Sequence, residues 1–595
     1  MIRKTWYNKD MNIRDIYNWI MEAFSSEYAL LSVNPAFADL VNGVLRWVTP
    51  AVLIFIVGRC AYSLLRGKDQ ELWGYLKFPN DSYVPLRHWE NLLGRSRSAD
   101  VRIALPEVSR QHAVLSRRQK GIWYIFDTES KGGVLVNGKH IDKQKQVKYG
   151  DRITIGGAEL TLVAPTATEV MDDCQVSEVP SVTVMPLITQ IFLSLFSLLC
   201  LLALLINARI NPYLLLTVFS GINGVMWAYY GLMRMIRRSG FEIESLAFLL
   251  TILGFCTAAS SAPYSLLKQF AAFVIGVFLF LFVGWCLRDL KRSQVVRWVM
   301  SAVGIGLLLL TFFFADTING ARNWLFIGGM SIQPSELSKI CFVYAGAATL
   351  DRLLTKRNLL LYILFSGICV GLLALMNDFG TALIFFITFL AVAFLRSGRL
   401  SAILLGAASA GLGALMVLKF RPYVLNRFKA WRNVWAYADS LGYQQTRVLA
   451  CAASGGVLGL GIGRGWLRHV AAADTDLVFG MLCEEWGVLV AVCAVSVIVL
   501  MAVFTFKQAA SGRSTFYTIA SCAAMCMMIV QTMLNVCGSV DILPLTGVTF
   551  PFISNGGSSM LCAWGLLAFI KAADVRPGAS FAIKQVRQKR RRKSR

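Results

Sequence analysis

Thirteen apolar runs of roughly bilayer-spanning length recur along this chain, near residues 47–65, 186–206, 211–234, 246–263, 268–288, 296–315, 336–352, 358–375, 379–396, 401–419, 485–506, 515–537 and 558–573. In hydrocarbon such runs must be helical, because only a helix satisfies all its backbone N–H and C=O groups by itself. The expected fold class is therefore a polytopic α-helical membrane protein of about 13 spans. The 595 residues are 56% hydrophobic and 16% charged, which excludes an ordinary soluble protein. A formal charge of +25 would suit nucleic acid, but the Lys and Arg lie in short connections between runs and in the tail 584–595. That placement is membrane topology, so no nucleic-acid partner is expected, and the tail is read as meeting anionic headgroups. The cysteines fall mainly inside the runs with no CxxC pair, and the histidines are scattered, so no zinc site, disulfide framework or histidine metal cluster is expected. The first apolar run begins too far in for a cleavable signal.

One segment, 70–164, has a different texture. Short alternating runs, Gly121 to Phe126, Gly133 to Val136 and Asp151 to Ile155, are separated by Gly, Asn and Asp turn signals, which predicts an all-β sandwich. Asn91-Leu92-Leu93-Gly94-Arg95-Ser96, Ser109-Arg110-Gln111-His112 and Val136-Asn137-Gly138 follow in order, and with them the segment resembles a forkhead-associated (FHA) domain. The resemblance implies that Arg95 and Ser109 hold a phosphothreonine, with His112 bracing the loop from beneath. Guanidinium and hydroxyl donors suit phosphate oxygens. Where the family usually has Asn, this chain reads Ser130-Lys131-Gly132-Gly133, so a peptide contact is lost while Lys131 remains a candidate for the phosphate. The flanks are read as 1–69 with one span, a linker at 165–185, two additional spans in 186–240, a core at 241–575 and a basic tail at 576–595.

Four acids stand at the edge of an apolar run, in Ala473-Asp474-Thr475-Asp476-Leu477-Val478-Phe479 and Glu484-Glu485-Trp486. Carboxylates beside lipid are costly, so they need a reason to be there. One reading is a solvated loop with Asp474 or Thr475 as N-cap; the other is chemistry. Three further polar stretches interrupt the apolar background: Arg322 followed by Gln333-Pro334-Ser335-Glu336-Leu337-Ser338-Lys339, Asn377-Asp378-Phe379-Gly380-Thr381, and Pro544 to Ser559. Glu336 and Lys339 stand one helical turn apart and can pair, with Ser335 or Gln333 as cap. Ser554, Gly556, Gly557, Ser558 and Ser559 could bring N–H groups to an anion.

In this order, the stretches resemble the SEDS family (shape, elongation, division and sporulation; FtsW, RodA and SpoVE types) over roughly 246–575. The resemblance implies a ten-span core formed by the last ten runs, and a peptidoglycan glycosyltransferase that polymerises lipid II outside the cytoplasmic membrane in division, elongation or sporulation. It implies Asp476 as general base toward the acceptor hydroxyl, with Asp474 the rival, and a single inverting displacement. Substrate-binding candidates are Arg322, Glu336, Lys339, Asp378, Arg421, Arg427, Ser554, Gly556, Gly557, Ser558 and Ser559. Arg322, Lys339, Arg421 and Arg427 are the cations for the departing pyrophosphate, and a divalent cation (Mg or Mn) is a further candidate. Met376-Asn377 replaces the usual Gln-Pro, read as loosening a kink, and Asn555 replaces a common Tyr. The implied partners are lipid II, a class B penicillin-binding protein and, through the FHA segment, a phosphothreonine-containing protein. Positive-inside bias puts the FHA segment and basic tail in the cytoplasm and Asp476 outside. The competing reading is a lipid-linked precursor transporter (flippase), or a scaffold recruiting a transpeptidase.

Overall fold

The computed structural model describes residues 35–66, 73–165 and 185–580, with interruptions most extensive between 398 and 427. The expected linker and the tails 1–34 and 581–595 fall almost wholly outside the described residues, as does most of the run 401–419. A helix forms at every other expected run. In order these are α1 (Pro35–Arg66), α2 (Pro186–Asn207), α3 (Pro212–Met235), α4 (Glu242–Ser261), α5 (Leu266–Cys286), α6 (Leu290–Phe314), α7 (Pro334–Leu350), α8 (Lys356–Leu375) and α9 (Phe379–Ser397). After α10 (Tyr443–Gly455) and α11 (Val478–Trp486) come α12 (Val488–Ala510), α13 (Thr515–Ser539) and α14 (Gly557–Ala573).

Among the described residues, eight helices are long and apolar enough to cross a membrane, fewer than the expected spans. The difference has local causes: α3 and α7 carry polar residues such as Asn223, Glu336 and Lys339, and the apolar stretches Phe379–Leu395 and Gly557–Ala573 are short. The chain is a multi-pass membrane protein. Three expectations are corrected. Helix α1 starts at Pro35, well before 47. The acids Glu484 and Glu485 belong to the separate helix α11, which ends at Gly487 (φ +86°) before α12 begins. Leu477 precedes α11 with no side-chain cap, so neither Asp474 nor Thr475 caps it.

Burial sorts the helices. Helix α4 is enclosed along its whole length, and α14 nearly so. Trp564 of α14 sits among Phe248 (4.9 Å between centroids), Phe273, Phe280 and Phe552 in mostly edge-on contacts. The added helix α1 packs on α2, α4 and α12. Near one end of α1, Lys507 Nζ donates to Leu65 O (3.1 Å) and Ser63 Oγ to Glu242 Oε1 (2.5 Å). Glu242 also meets Arg576 Nη1 (2.8 Å), whose Nη2 meets Asp574 Oδ2 (2.7 Å). Lys571 pairs with Glu244 (3.0 Å), which accepts from Tyr229 Oη (2.7 Å). These buried charges fasten α1, α3, α4 and the end of α14 together.

The inserted segment is the expected sandwich. Its strands are β1 (Gly74–Lys77), β2 (Tyr83–Leu86), β3 (Glu90–Gly94), β4 (Val101–Arg102), β5 (Ala113–Arg117), β6 (Trp123–Asp127), β7 (Val134–Val136), β8 (Lys139–His140), β9 (Gln144–Val147), β10 (Arg152–Ile155) and β11 (Ala158–Val163). One sheet runs β2-β1-β11-β10-β7-β8 and the other β4-β3-β5-β6-β9. Alternating residues, Leu76, Leu160 and Ile153 from one sheet and Leu93, Leu115 and Ile125 from the other, close the core. First and last strands are neighbours, with Tyr75 opposite Val163. Nearby in sequence, Arg59 Nη2 of α1 donates to Met185 O just before α2 (3.3 Å).

A further three-stranded sheet, β12 (Asp316–Ile318), β13 (Ala321–Ile327) and β14 (Met330–Ile332), joins α6 to α7. The sequence between these strands holds Asn319-Gly320 and Gly328-Gly329, dipeptide types that favour two-residue turns but are obscured by their apolar surroundings. Replacing Arg576 by Ala leaves Glu242 and Asp574 without their shared cation. It is expected to cost about 3–5 kcal/mol, read as a lowered unfolding midpoint in detergent; an unchanged midpoint would remove the clamp from the account of stability.

Candidate active site

Asp476 lies in a turn that reverses at Ala472 (φ +61°), whose carbonyl accepts the Asp476 N–H (3.0 Å). Irregular backbone that is packed against other elements must find hydrogen-bond partners in the protein. It finds them on two sides. From α13, Asn535 Nδ2 donates to the carbonyls of Asp476 (3.0 Å) and Val548 (2.8 Å). From the stretch before α14, Ser554 Oγ donates to Thr475 O (2.6 Å) and accepts from Phe550 N (2.8 Å), while Asn555 N donates to Asp474 O (2.8 Å).

The two rival carboxylates are thereby separated. Asp474 accepts from Asn555 Nδ2 (2.6 Å), which also reaches Ser265 Oγ (2.7 Å), so its charge braces the turn. Asp476 instead faces Gly547, where an added Cβ would stand 3.2 Å from Oδ2. Gly547 also has φ +71°, so both conformation and space call for glycine there. The replacement of Tyr by Asn at 555 thus supplies the brace.

A second cluster is reached through Val548. An added Cβ on Gly380 would press on Val548 Cγ2 (2.7 Å), so the start of α9 lies against the stretch that faces Asp476. Asp378 caps α9, its Oδ1 accepting from Thr381 N (3.1 Å). Lys339 and Glu336 lie within electrostatic reach of Asp378 and form the expected ion pair (2.6 Å), almost wholly buried. Glu336 Oε2, Asp378 Oδ2 and Ser335 Oγ are buried with no partner among the described residues. Ser335 therefore does not cap α7. Gln333 N donates instead to Ser558 Oγ (3.0 Å), tying α7 to α14, and Ser559 Oγ meets Thr549 Oγ1 (2.8 Å). Gly556 precedes α14 without a side-chain cap, so among the described residues the first amides of that helix, from Gly557 on, have no capping side chain.

Arg322 is exposed on β13, with Nε on Thr317 Oγ1 (3.0 Å) and its backbone N–H on Met376 O (2.9 Å). Arg421 and Arg427 lie outside the described residues. The turn at 377 corrects another expectation. Asn377 has φ +60°, its N–H donates to Ala374 O (3.1 Å) and the Asp378 N–H to Leu373 O (3.0 Å), a Schellman ending for α8. Its Nδ2 also holds Gly320 O (2.8 Å). Rather than loosening a kink, Asn377 makes a left-handed stop that proline cannot adopt.

In the sandwich, Arg95, Ser109 and Lys131 come together as expected. Arg95 N donates to Ser109 O (3.0 Å) and Lys131 N to Ser109 Oγ (3.1 Å), while the exposed Arg95 guanidinium has no partner among the described residues. His112 is buried; Nδ1 accepts from Ser109 N (3.0 Å) and Nε2 pairs with Gly133 O (2.9 Å), the bracing role read from sequence.

Asn535 belongs to none of the motifs read from the sequence, and Gly547 lies in the stretch Pro544 to Ser559 without its place beside Asp476 being legible there. The signal for Asn535 was an amide inside an apolar run, which in a membrane marks a function or a tie. Asn377→Pro is expected to destabilise by about 3 kcal/mol through lost hydrogen bonds and forbidden φ, and Asn377→Gly by about 1 kcal/mol through the lost Gly320 bond alone. Thermal unfolding of the two variants side by side checks the order; a proline variant as stable as wild type would sink it.

Residues 245–576 match the family described as cell cycle protein, of FtsW, RodA and SpoVE type, and residues 91–156 match the FHA domain. A probable peptidoglycan glycosyltransferase FtsW of Borreliella burgdorferi is 31% identical over 44% of this chain and 74% of its own. The peptidoglycan glycosyltransferase RodA of Mycobacterium tuberculosis is 28% identical over 50% of this chain and 67% of its own. A chain from a solved peptidoglycan synthase complex, described for its coordination of polymerization and crosslinking, is 25% identical with a TM-score of 0.47, over 56% of this chain and 96% of that one. With more than half its length inside the family region, the chain belongs to the FtsW/RodA/SpoVE family and carries an FHA domain ahead of that region.

Proposed function

We propose that this protein is a peptidoglycan glycosyltransferase that polymerises lipid II, with Asp476 as its general base. The observation that carries the reading is the placement of Asp476: a turn held from α13 and from the stretch before α14, which touches through Val548 the turn bearing Asp378, itself within reach of Glu336 and Lys339. Asp476 takes the proton of the acceptor sugar's 4-hydroxyl as that oxygen attacks the donor's anomeric carbon, inverting it, and the pyrophosphate departs with the bonding pair. Lys339, Arg322 and the open start of α14 supply positive charge or N–H donors for the leaving group. Glu336 Oε2 and Asp378 Oδ2 are hard oxygen donors of the kind a divalent cation takes, and a cation there would add charge at the same place.

The contacts of α1 support the sidedness read from the positive-inside bias. Its start bonds the loop that leads to Asp476, through Asp39 and Arg464 (2.9 Å), and its end bonds Lys507 in a basic connection. Lys and Arg favour the cytoplasm, so the FHA domain lies inside and Asp476 outside. Arg95, Ser109 and Lys131 then read a phosphothreonine protein in the cytoplasm, which places polymerisation under kinase control. A class B penicillin-binding protein supplies the cross-linking that no Ser-x-x-Lys and Lys-Thr-Gly pair in this chain provides.

Purified protein with such a partner is expected to make glycan strands from lipid II, and Asp476→Ala to slow this by about 10²–10⁴-fold while unfolding at the wild-type midpoint. Equal turnover by the variant would move the base elsewhere. A degenerate phosphothreonine peptide library is expected to bind the full chain, its unphosphorylated counterpart not to, and Arg95→Ala to abolish the difference; no phosphate-dependent binding would end the regulatory reading.

A further inference from the structure

The N-terminal helices α1 and α2 lie outside the family region, yet they touch the loop that sets up the active site. Between α10 and α11 the chain runs through Gly459, Gly461 and Gly463, all at positive φ, and laces itself onto the C-terminal end of α11. Leu460 N and Gly461 N donate to the carbonyls of Glu484 (2.8 Å) and Glu485 (3.0 Å). Gly463 N donates to Glu485 Oε2 (3.0 Å), and Trp466 N and Leu467 N donate to the two Glu484 oxygens (2.8 and 2.9 Å). Ser260 of α4 donates to the remaining oxygen of Glu485. The acids at the end of α11 are thus acceptors for one loop, and the other end of that helix follows Asp476 directly.

Arg464, in the middle of this loop, points the other way. Its Nη2 meets Asp39 of α1 (2.9 Å) and its Nε donates to Asn207 Oδ1 at the end of α2 (3.0 Å). Asn207 and Asn42 of α1 exchange amide hydrogen bonds (2.6 and 2.7 Å), and Asn42 is buried, so the two acceptors for Arg464 are themselves held in register. An exposed ion pair contributes little to stability, but here one side chain joins two added helices to the loop whose amides fix α11. We infer that Arg464 is a positioning residue for polymerisation, through which α1 and α2 hold the catalytic turn.

The inference rests on the glycosyltransferase reading, and its test separates the two. Wild type, Arg464→Ala, Asp39→Ala, the double variant and the swap Arg464→Asp with Asp39→Arg are compared for kcat and KM on lipid II, for unfolding midpoint, and for amide hydrogen exchange over 456–477. Each single variant is expected to lower kcat by about 10-fold or more, since small misplacement of a reacting group is costly, with KM and midpoint little changed and exchange in the loop raised. The double variant should be no worse than either single one, and the swap should recover activity. Unchanged kcat and exchange in Arg464→Ala overturns the inference, as does a loss of midpoint with no loop-specific exchange. If wild type itself makes no strands, the glycosyltransferase reading fails, and exchange alone still decides whether α1 and α2 hold the loop.

Discussion

Irregular backbone packed between helices has little water to bond, and this constraint shapes the whole active-site region. The turn at Asp474–Asp476 and the stretch Phe550–Asn555 are both irregular, and each supplies what the other lacks: Ser554 to Thr475, Asn555 to Asp474. Asn535 donates both amide hydrogens to carbonyls, one at Asp476 and one at Val548, just ahead of the second stretch. Remove either stretch and the other is left with unpaired polar groups at several kcal/mol each. The motifs are therefore far apart in sequence and interdependent in space. Their glycines and hydroxyls serve this mutual satisfaction first, since Ser554, Ser558 and Ser559 are all bonded within the protein.

What the sequence made legible follows from how strong each local signal is. Apolar runs and the alternating strands of the FHA segment are dictated by solvent, and the helices and sandwich appear where expected. The Glu336–Lys339 pair was readable because a one-turn spacing leaves two such charges no better partner. The capping role for Asp474 or Thr475 was not fulfilled because tertiary bonds from Asn555 and Ser554 claimed the segment. The pairing of β12–β14 is not legible because the Asn-Gly and Gly-Gly signals between them lie among long apolar runs. Asn377 shows a related limit: its left-handed stop closes on the nearby carbonyls of Leu373 and Ala374, but its side-chain partner, Gly320 O, comes near only in the fold. Contacts such as Arg464 with Asp39 join residues hundreds of positions apart, which no local pattern encodes.

The added helices are fastened at both ends. One end of α1 joins the buried charges of Glu242 and Arg576, and the other reaches Arg464. Breaking a buried network by removing one member is costly, whereas an exposed pair is cheap to break. The two ends thus differ in kind: the Glu242 end is a buried anchor, and the Arg464 end is an exposed contact.

The ends of the FHA domain leave side by side, Tyr75 opposite Val163, and the helices that receive them are joined by Arg59 and Met185. In effect α1 and α2 form a helical hairpin whose loop has grown into a domain. Domains whose termini lie together are tolerated as insertions, so the reader is an interchangeable part: a different recognition module with adjacent termini could be grafted into the same loop, giving the enzyme a new input while its membrane architecture is left intact.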